Sequence, residues 1–469
     1  MYYRLKEPWS FCGWKELPYA LRAEYGEQQH KRPRFLAKDV FLDLLYCNGQ
    51  EEVDPSDLCE DARKAIEEML EHDMMEASEE PLPALAPWQR YHVFPARFAE
   101  SVHWAITGKC NFRCRHCLVS APGNKHPELP LSDCEHIMDE IARCGIRSVD
   151  VTGGEPLVRS DYAKIYEGLS KRGISIGVVF TNASLLTPEV LDVLDKYGQH
   201  PSFQLSFDGV GHHDWLRGIP GAEREADAAL ALLQERGYRV SCAMCIHRGN
   251  RDSLRETVKH LASLGVVGLR VNAPQELGVW KLYSEQYALS KEEVWEAYRD
   301  YIPHFFEDGM PCGVELDGFF SCKKGSTDYT VPYAKSVRSE NPNWDKIPYC
   351  ESVRYKLHIR PDGRVAPCMG FSDTVLGDTF PSVLEEHLGD ILLKSNYRDV
   401  VDTTVAQLME KNPECATCEH LRQCCGGCMV EDITDDGDYL VPDQKTCFFH
   451  KHVGEAAVRE VADAAISKM

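Results

Sequence analysis

Three cysteines fall within eight residues, Cys110-Asn111-Phe112-Arg113-Cys114-Arg115-His116-Cys117, in the spacing C-x3-C-x2-C. Thiolates so spaced can hold three irons of a cubane iron–sulfur cluster. No fourth cysteine lies nearby, so one iron keeps an open position, as a catalytic metal must. The competing ion is zinc completed by His116, but that residue sits between two ligands and would strain the loop. A second group lies downstream: Cys350-x12-Gly363-x4-Cys368, then Cys415-x2-Cys418-x5-Cys424-x3-Cys428, and finally Cys447. Its central run, C-x2-C-x5-C-x3-C, would by itself also suit zinc. Cysteine totals 20 in 469 residues, too sparse for a small disulfide scaffold. The N-terminus has no apolar h-region, so a cytoplasmic location is expected, where thiols stay reduced and clustered cysteines serve as metal ligands.

The elements that must position these residues follow from periodicity. From Ser101 strands and helices alternate. Strands are expected at Val102–Thr107, Ser148–Thr152, Ile174–Thr181, Phe203–Phe207, Val240–Ile246 and Val267–Asn272. Helices are expected at Cys134–Cys144, Asp161–Lys171, Pro188–Tyr197, Glu223–Glu235, Ser253–Leu264 and Lys291–Phe306. Six βα alternations predict an α/β fold with a parallel sheet, a partial barrel or a doubly wound sheet. Residues 1–75 read as a small α+β unit, and 76–98, with Pro81, Pro83, Pro87 and Pro95, as a linker or surface strap. The barrel unit is expected over 99–310, a bridging region over 311–349 and the cysteine-rich domain over 350–469. Beyond Pro311 periodicity is poor, which predicts a region held by metal rather than by a large apolar core.

There are 52 basic and 74 acidic residues, a net charge of −22. Such a surface repels phosphate backbones, so nucleic acid is not an expected partner. No stretch of about 18 apolar residues exists, so no membrane span is expected.

The first cysteine group, with Gly153-Gly154-Glu155-Pro156 after the second strand, resembles the radical S-adenosylmethionine (radical SAM) superfamily. The resemblance implies a partial (β/α)6 TIM-like barrel. The open iron of a 4Fe–4S cluster on Cys110, Cys114 and Cys117 would chelate S-adenosylmethionine, and the 5′-deoxyadenosyl radical it yields would remove a hydrogen atom from an unactivated C–H bond. It implies further that Gly153, Gly154 and Glu155 lie against the cofactor's ammonium group. His116 would pack near the adenine, Asn182 at the end of the third strand would contact the cofactor, Ser206 and Asp208 would line the ribose side, and Arg217 would pair with the carboxylate. The second cysteine order resembles the SPASM domain. That likeness implies one auxiliary 4Fe–4S cluster on Cys350, Cys368 and Cys428 and another on Cys415, Cys418, Cys424 and Cys447, three clusters in all. The first auxiliary set is one ligand short: Cys312 or Cys322 could complete it, or a substrate thiolate could. Cys425 is not expected to share an iron with Cys424. Cys242 and Cys245, three apart on a strand, face opposite ways and read as buried thiols, as do Cys12, Cys47, Cys59, Cys134 and Cys144.

Residues 1–75 resemble the PqqD-like winged-helix peptide-recognition domain of ribosomal-peptide maturases, which implies a precursor peptide whose leader adds as a strand. Local acidity (Glu51, Glu52, Asp54, Asp57, Glu60 and Asp61 among others) disfavours DNA. The family resemblance implies an electron donor of flavodoxin or ferredoxin type. Sulfatase-maturing relatives carry an Asp directly after the G-x4-C cysteine as proton acceptor; here that residue is Met369. The expected reaction is therefore a cysteine thioether cross-link, with carbon–carbon coupling or epimerisation as alternatives; a metal-stabilised peptide scaffold without catalysis is the alternative of another class. No general base is assigned: Glu276, Glu315, Asp317 and Asp373 fall in expected loops, where acids are usually solvated.

Overall fold

The computed structural model describes residues 1–25, 32–121, 126, 128–334 and 341–469. Parts of the expected N-terminal unit (26–31), barrel (122–125 and 127) and bridging region (335–340) lie outside the described residues.

Six short strands build the N-terminal unit: β1 (Tyr2–Leu5), β2 (Trp9–Trp14), β3 (Ala20–Ala23), β4 (Arg34–Phe35), β5 (Met75–Ser78) and β6 (His92–Phe94). β1 pairs antiparallel with β5, and the other four form a sheet in the order β4-β3-β2-β6. The helices Lys38–Leu44 and Glu60–Glu71 cover a core that includes Leu5, Phe11, Leu21, Phe41, Leu44, Ile66 and Met69. A 3-10 turn, Pro55–Asp57, lies between these two helices. Residues 76–98, read from their prolines as a linker, supply most of β5 and all of β6, because pairing to β1 and β2 satisfies backbone groups that a free strap would leave to water.

This unit docks on the larger body through polar contacts from a buried aromatic patch. Trp14 is fully buried against Phe98 and Phe94, with ring centroids 4.8 and 5.2 Å away, and its Nε1 donates to Cys144 O at 3.0 Å. Arg22 donates to Gly145 O at 2.7 Å and pairs with Glu24, which also takes Arg147 from the body.

Among the described residues the main sheet has eleven strands. β7 (Ser101–Ala105), β8 (Ser148–Thr152), β9 (Ser175–Thr181), β10 (Ser202–Ser206), β11 (Val240–Cys245) and β12 (Gly268–Asn272) are the six expected from the alternation. β13 (Gly313–Leu316), β14 (Phe320–Cys322), β15 (Tyr329–Thr330), β16 (Lys356–Ile359) and β17 (Val365–Ala366) follow. The order is β15-β14-β13-β12-β11-β10-β9-β8-β7-β16-β17. The half-barrel of six is thus lengthened on both edges: β13 pairs parallel to β12, and β16 pairs parallel to β7. Helices Leu131–Arg143, Tyr162–Lys171, Pro188–Lys196, Ala222–Glu235 and Leu254–Ser263 connect the parallel strands and bury their apolar stripes on one face. Along β11 burial alternates, so Val240, Cys242 and Met244 face that helix layer while Ser241, Ala243 and Cys245 face the other side.

The region beyond Pro311 does possess an apolar core, contrary to its expected dependence on metal alone. Leu316, Phe320, Leu357, Leu388, Ile391, Leu408, Phe449 and Val458 join the core cluster of the barrel. Apart from Gly454–Ile466, its helices are too short, as in Leu388–Lys394 and Val405–Lys411, for a periodic stripe to be visible.

Trp14→Ala is expected to destabilise the protein by about 3–5 kcal/mol, measured as a lowered denaturant midpoint. Leu42→Ala, at a position 44% exposed, is expected to stay within about 0.5 kcal/mol. Equal effects of the two would contradict the docking role of Trp14.

Candidate active site

The loop carrying Cys110, Cys114 and Cys117 leaves β7 and is clamped from two sides. Arg113 and Arg115 N–H donate to Arg217 O and Leu216 O at 3.2 and 2.9 Å, at the end of the helix His213–Arg217. Arg115 also donates to Trp215 O and stacks on the Trp215 ring at 4.7 Å. Val279 N–H donates to Cys117 O at 3.3 Å from the turn Gly278–Leu282.

Beside this loop run Gly153 and Gly154. A Cβ on Gly154 would lie 2.3 Å from Lys109 O, and one on Gly153 would lie 2.5 Å from Thr107 O. Glycine therefore lets the two chains meet, with Gly154 N–H to Thr107 O at 2.9 Å and Glu155 N–H to Lys109 O at 2.8 Å. Glu155 accepts from Thr181 Oγ1 at 2.9 Å, Leu157 N–H at 3.1 Å and Asn182 N–H at 2.7 Å. A carboxylate offers about four acceptor sites, so one is left. Asn182 Nδ2 reaches Asn111 Oδ1 at 2.9 Å and Cys110 Sγ at 3.9 Å. Ser206 ends β10, half-buried.

Asp208 is fully buried. Its Oδ2 accepts from Arg217 Nε at 2.7 Å and lies 3.1 Å from His213 Nδ1, and its Oδ1 accepts from Cys245 N–H at 3.0 Å. Arg217 and His213 hold the Asp208 carboxyl far below the usual range against the opposing effect of burial. With both oxygens engaged inside the protein, Asp208 orients Arg217, whose Nη1 lies 3.7 Å from Cys114 Sγ. His116, Asp208 and Cys245 bring ligand-type atoms within 4.8 Å of one another, but Arg217 already occupies that carboxylate and would repel a cation there. Burial, then Arg217, pushes the His116 imidazole down to about 3, so it is neutral, and its Nδ1 is buried without a partner.

The downstream thiols lie in two groups. Cys428 has Cys368 and Cys350 as electrostatic neighbours, while Cys415 and Cys424 each have Cys418 and Cys447. Cys425 points elsewhere, its Sγ 3.4 Å from Arg422 O. Cys312 is buried beside Cys242, and Cys322 Sγ donates to Ser326 O at 3.1 Å. Neither is a neighbour of the short set, so both sequence-level candidates for its fourth ligand fall away.

The donor sets fit iron–sulfur clusters better than zinc. Sulfurs around one zinc sit about 3.8 Å apart, whereas among the described residues no three of these thiols have all their sulfurs within 4.8 Å. Backbone N–H groups already point at sulfur: Phe112 to Cys110 at 3.4 Å, Ala121 to Cys117 at 3.3 Å and Gly426 to Cys424 at 3.4 Å. Burial pushes Cys110, Cys368 and Cys424 up to about 12, a state that only a bound cation would reverse.

A cavity of about 860 Å³ lies between the two halves. His116, Cys245 and Asn272 line its barrel side, and Cys350, Cys428 and Met369 line its C-terminal side. Cys245, read from sequence as a buried thiol, is one of its walls. Asp317, read as a solvated loop acid, is another, buried against Lys445; the partner 128 positions away left no local signal.

Residues 104–261 match the family model described as the radical SAM superfamily, and residues 350–419 match that of the SPASM iron–sulfur cluster-binding domain. This chain is a radical SAM enzyme with a SPASM domain. The radical SAM chain is 26% identical to a PqqA peptide cyclase of Granulibacter bethesdensis, over 77% of this chain and 90% of that protein. It is 23% identical to an AdoMet-dependent heme synthase of Methanosarcina barkeri, over 72% and 93% of the two chains. In fold it resembles SuiB of Streptococcus suis bound to precursor peptide SuiA, with a TM-score of 0.63 and 15% identity over 95% and 99% of the two chains. No helix of the described residues is long and apolar enough to cross a membrane.

Burial pushes the Glu155 carboxyl up from 4.5 to about 7 despite its three hydrogen bonds. The folded protein holds this proton more tightly than the unfolded chain, so the stability it lends is full at low pH and is lost between about pH 4.5 and 7. Glu155→Gln is expected to flatten that part of the stability–pH curve in cofactor-free protein. A curve of unchanged slope would contradict the assignment.

Proposed function

We propose that this enzyme is a peptide maturase, which removes a hydrogen atom from a ribosomally made precursor and joins the carbon to a cysteine sulfur. The observation that carries this reading is the shared cavity, walled by His116 and Cys245 at one end and by Cys350 and Cys428 at the other. A substrate held there meets the site of hydrogen abstraction and an auxiliary cluster together.

Bound S-adenosylmethionine and its cluster would supply hydrogen-atom abstraction from an unactivated C–H bond. The chain's part is to bind and orient. Arg217, fixed through Nε by Asp208, offers its remaining N–H groups to the cofactor carboxylate. Glu155 offers its unfilled acceptor to the ammonium group, Gly153 and Gly154 permit close approach, and Asn182 and Ser206 border the ribose side. Neutral His116 packs at the adenine.

Three 4Fe–4S clusters are proposed, with the first auxiliary one held by Cys350, Cys368 and Cys428. With Cys312 and Cys322 placed elsewhere, a substrate thiolate is the natural fourth ligand, which favours a thioether over carbon–carbon coupling or epimerisation. The resemblance to a PqqA peptide cyclase and to the fold of SuiB with its precursor supports a peptide substrate. Asp317, Glu351, Glu431 and Asp443 outnumber Arg270 and Lys445 in the cavity wall, which disfavours the carboxylate-bearing tetrapyrrole that a heme synthase handles. A leader is proposed to add as a strand at β4, an edge of the N-terminal sheet. A flavodoxin or ferredoxin is the proposed electron donor.

Reconstituted protein is expected to hold about twelve irons, four per cluster, and to release 5′-deoxyadenosine with S-adenosylmethionine and a strong reductant. The Cys110→Ala, Cys114→Ala, Cys117→Ala variant should release none. About two zincs per chain, or full iron loading with no 5′-deoxyadenosine from any precursor encoded nearby, would overturn the proposal in favour of a binding scaffold. Arg217→Lys, which loses the planar fork, is expected to raise the Kd for S-adenosylmethionine about tenfold or more; an unchanged Kd would remove Arg217 from that role.

A further inference from the structure

β13 and β14 are joined through Asp317-Gly318-Phe319, with Asp317 and Gly318 both in the left-handed region at φ 45° and 83°. Aspartate tolerates that conformation better than most side chains. The turn sets Asp317 in the cavity wall with only 9% of its surface exposed. Lys445 Nζ lies 3.3 Å from Oδ1 and 3.2 Å from Oδ2, in ion-pair contact, yet Oδ2 accepts no hydrogen bond. Lys445 also lies 3.0 Å from Glu431 Oε1, and Gln275 Nε2 donates to Glu431 Oε2 at 2.7 Å. A buried carboxylate oxygen without a donor is costly, and two carboxylates around one ammonium leave a net negative charge at the cavity wall.

The other acids are unsuited to proton transfer here: in the cavity wall Glu351 is exposed and Asp443 accepts from the N–H groups of Cys428, Lys445 and Thr446. Glu315 is engaged with Arg270 at 2.9 Å on a more exposed stretch, Glu276 is exposed, and Asp373 accepts the Ser120 hydroxyl at 2.6 Å. Met369, which follows Cys368, has no proton to exchange.

Building on the peptide-maturase reading, we infer that Asp317 is the proton acceptor of the cross-linking reaction, taking on Oδ2 the proton that the substrate thiol loses as it becomes the thiolate that joins the carbon. The step balances as follows. One substrate C–H bond breaks and its hydrogen atom leaves in 5′-deoxyadenosine. The cysteine S–H bond breaks as the sulfur becomes a thiolate, and one C–S bond then forms from it. The proton goes to Asp317 Oδ2, and the remaining electron passes to an iron–sulfur cluster.

Five groups face Asp317 from the elements packed around it: Lys445, Glu431, Tyr333, Tyr298 and Cys245. Burial pushes its carboxyl up to about 6; Lys445 lowers it and Glu431 raises it. It can therefore be ionised before the step and protonated after it near neutral pH.

In the fully loaded enzyme with precursor, Asp317→Asn is expected to release 5′-deoxyadenosine within about twofold of the parent enzyme while cross-linked peptide falls about 100-fold. Glu431→Gln, which removes a neighbouring negative charge, is expected to move the acid limb of product formation to lower pH. Infrared titration of cofactor-free protein provides a readout independent of turnover: a carboxylic-acid band should grow in as pH falls through about 6 and be missing in Asp317→Asn. Cross-linking at the parent rate in Asp317→Asn, or an unmoved pH limb in Glu431→Gln, overturns this inference alone. Parent enzyme that makes 5′-deoxyadenosine yet leaves every peptide unchanged overturns the functional reading and the inference with it.

Discussion

Asp208 and Arg217 are buried together beneath Cys114, with Arg217 Nε 2.7 Å from the carboxylate and Cys245 N–H donating from the other side. Taking both charges from water costs several kcal/mol, and only full pairing offsets it. This one contact joins the loop after β10, the last residue of β11, the helix His213–Arg217 and, through Arg217 O, the cysteine loop. If either charge were lost, the other would be stranded and the cysteine loop would lose its brace. The geometry of the first cluster site is therefore an electrostatic consequence of where two strands end.

The auxiliary thiols pose a second constraint. Burial raises the thiols of Cys368, Cys415, Cys424, Cys428 and Cys447, so these resist ionisation without a cation. The surrounding chain does not depend on metal to fold back on the barrel. β16 extends the sheet beyond β7, and the helix Gly454–Ile466 buries Val458, Ala462 and Ala465 against the body. Packing places the two thiol sets that are proposed to hold the auxiliary clusters. The cavity between them is consequently a preformed passage rather than a gap waiting for a ligand.

Much of this was readable from the chain alone, because the determinants are local. The six parallel strands announce themselves by alternation with helices, and the cysteine sets by spacing along the sequence. What escaped depends on distant partners. β13 and β16 are only four residues each and gain their place by pairing with β12 and β7. β6 looks like proline-rich strap until β2 lies beside it. Asp317-Gly318 has the composition of an exposed turn, and only Lys445 and the cavity wall reveal it as a buried acid. The roles expected of Cys312 and Cys322 rested on cysteine count, which carries no information about which side of a sheet a thiol faces.

The central claim is that hydrogen abstraction occurs on a peptide lodged between His116 and the Cys350–Cys428 wall. The most direct measurement uses a precursor peptide deuterated throughout its core and follows the isotope by mass spectrometry. The account predicts that deuterium moves from the peptide into 5′-deoxyadenosine as modified peptide forms. Unlabelled 5′-deoxyadenosine, formed in full alongside a modified peptide that keeps all its carbon-bound deuterium, would contradict it.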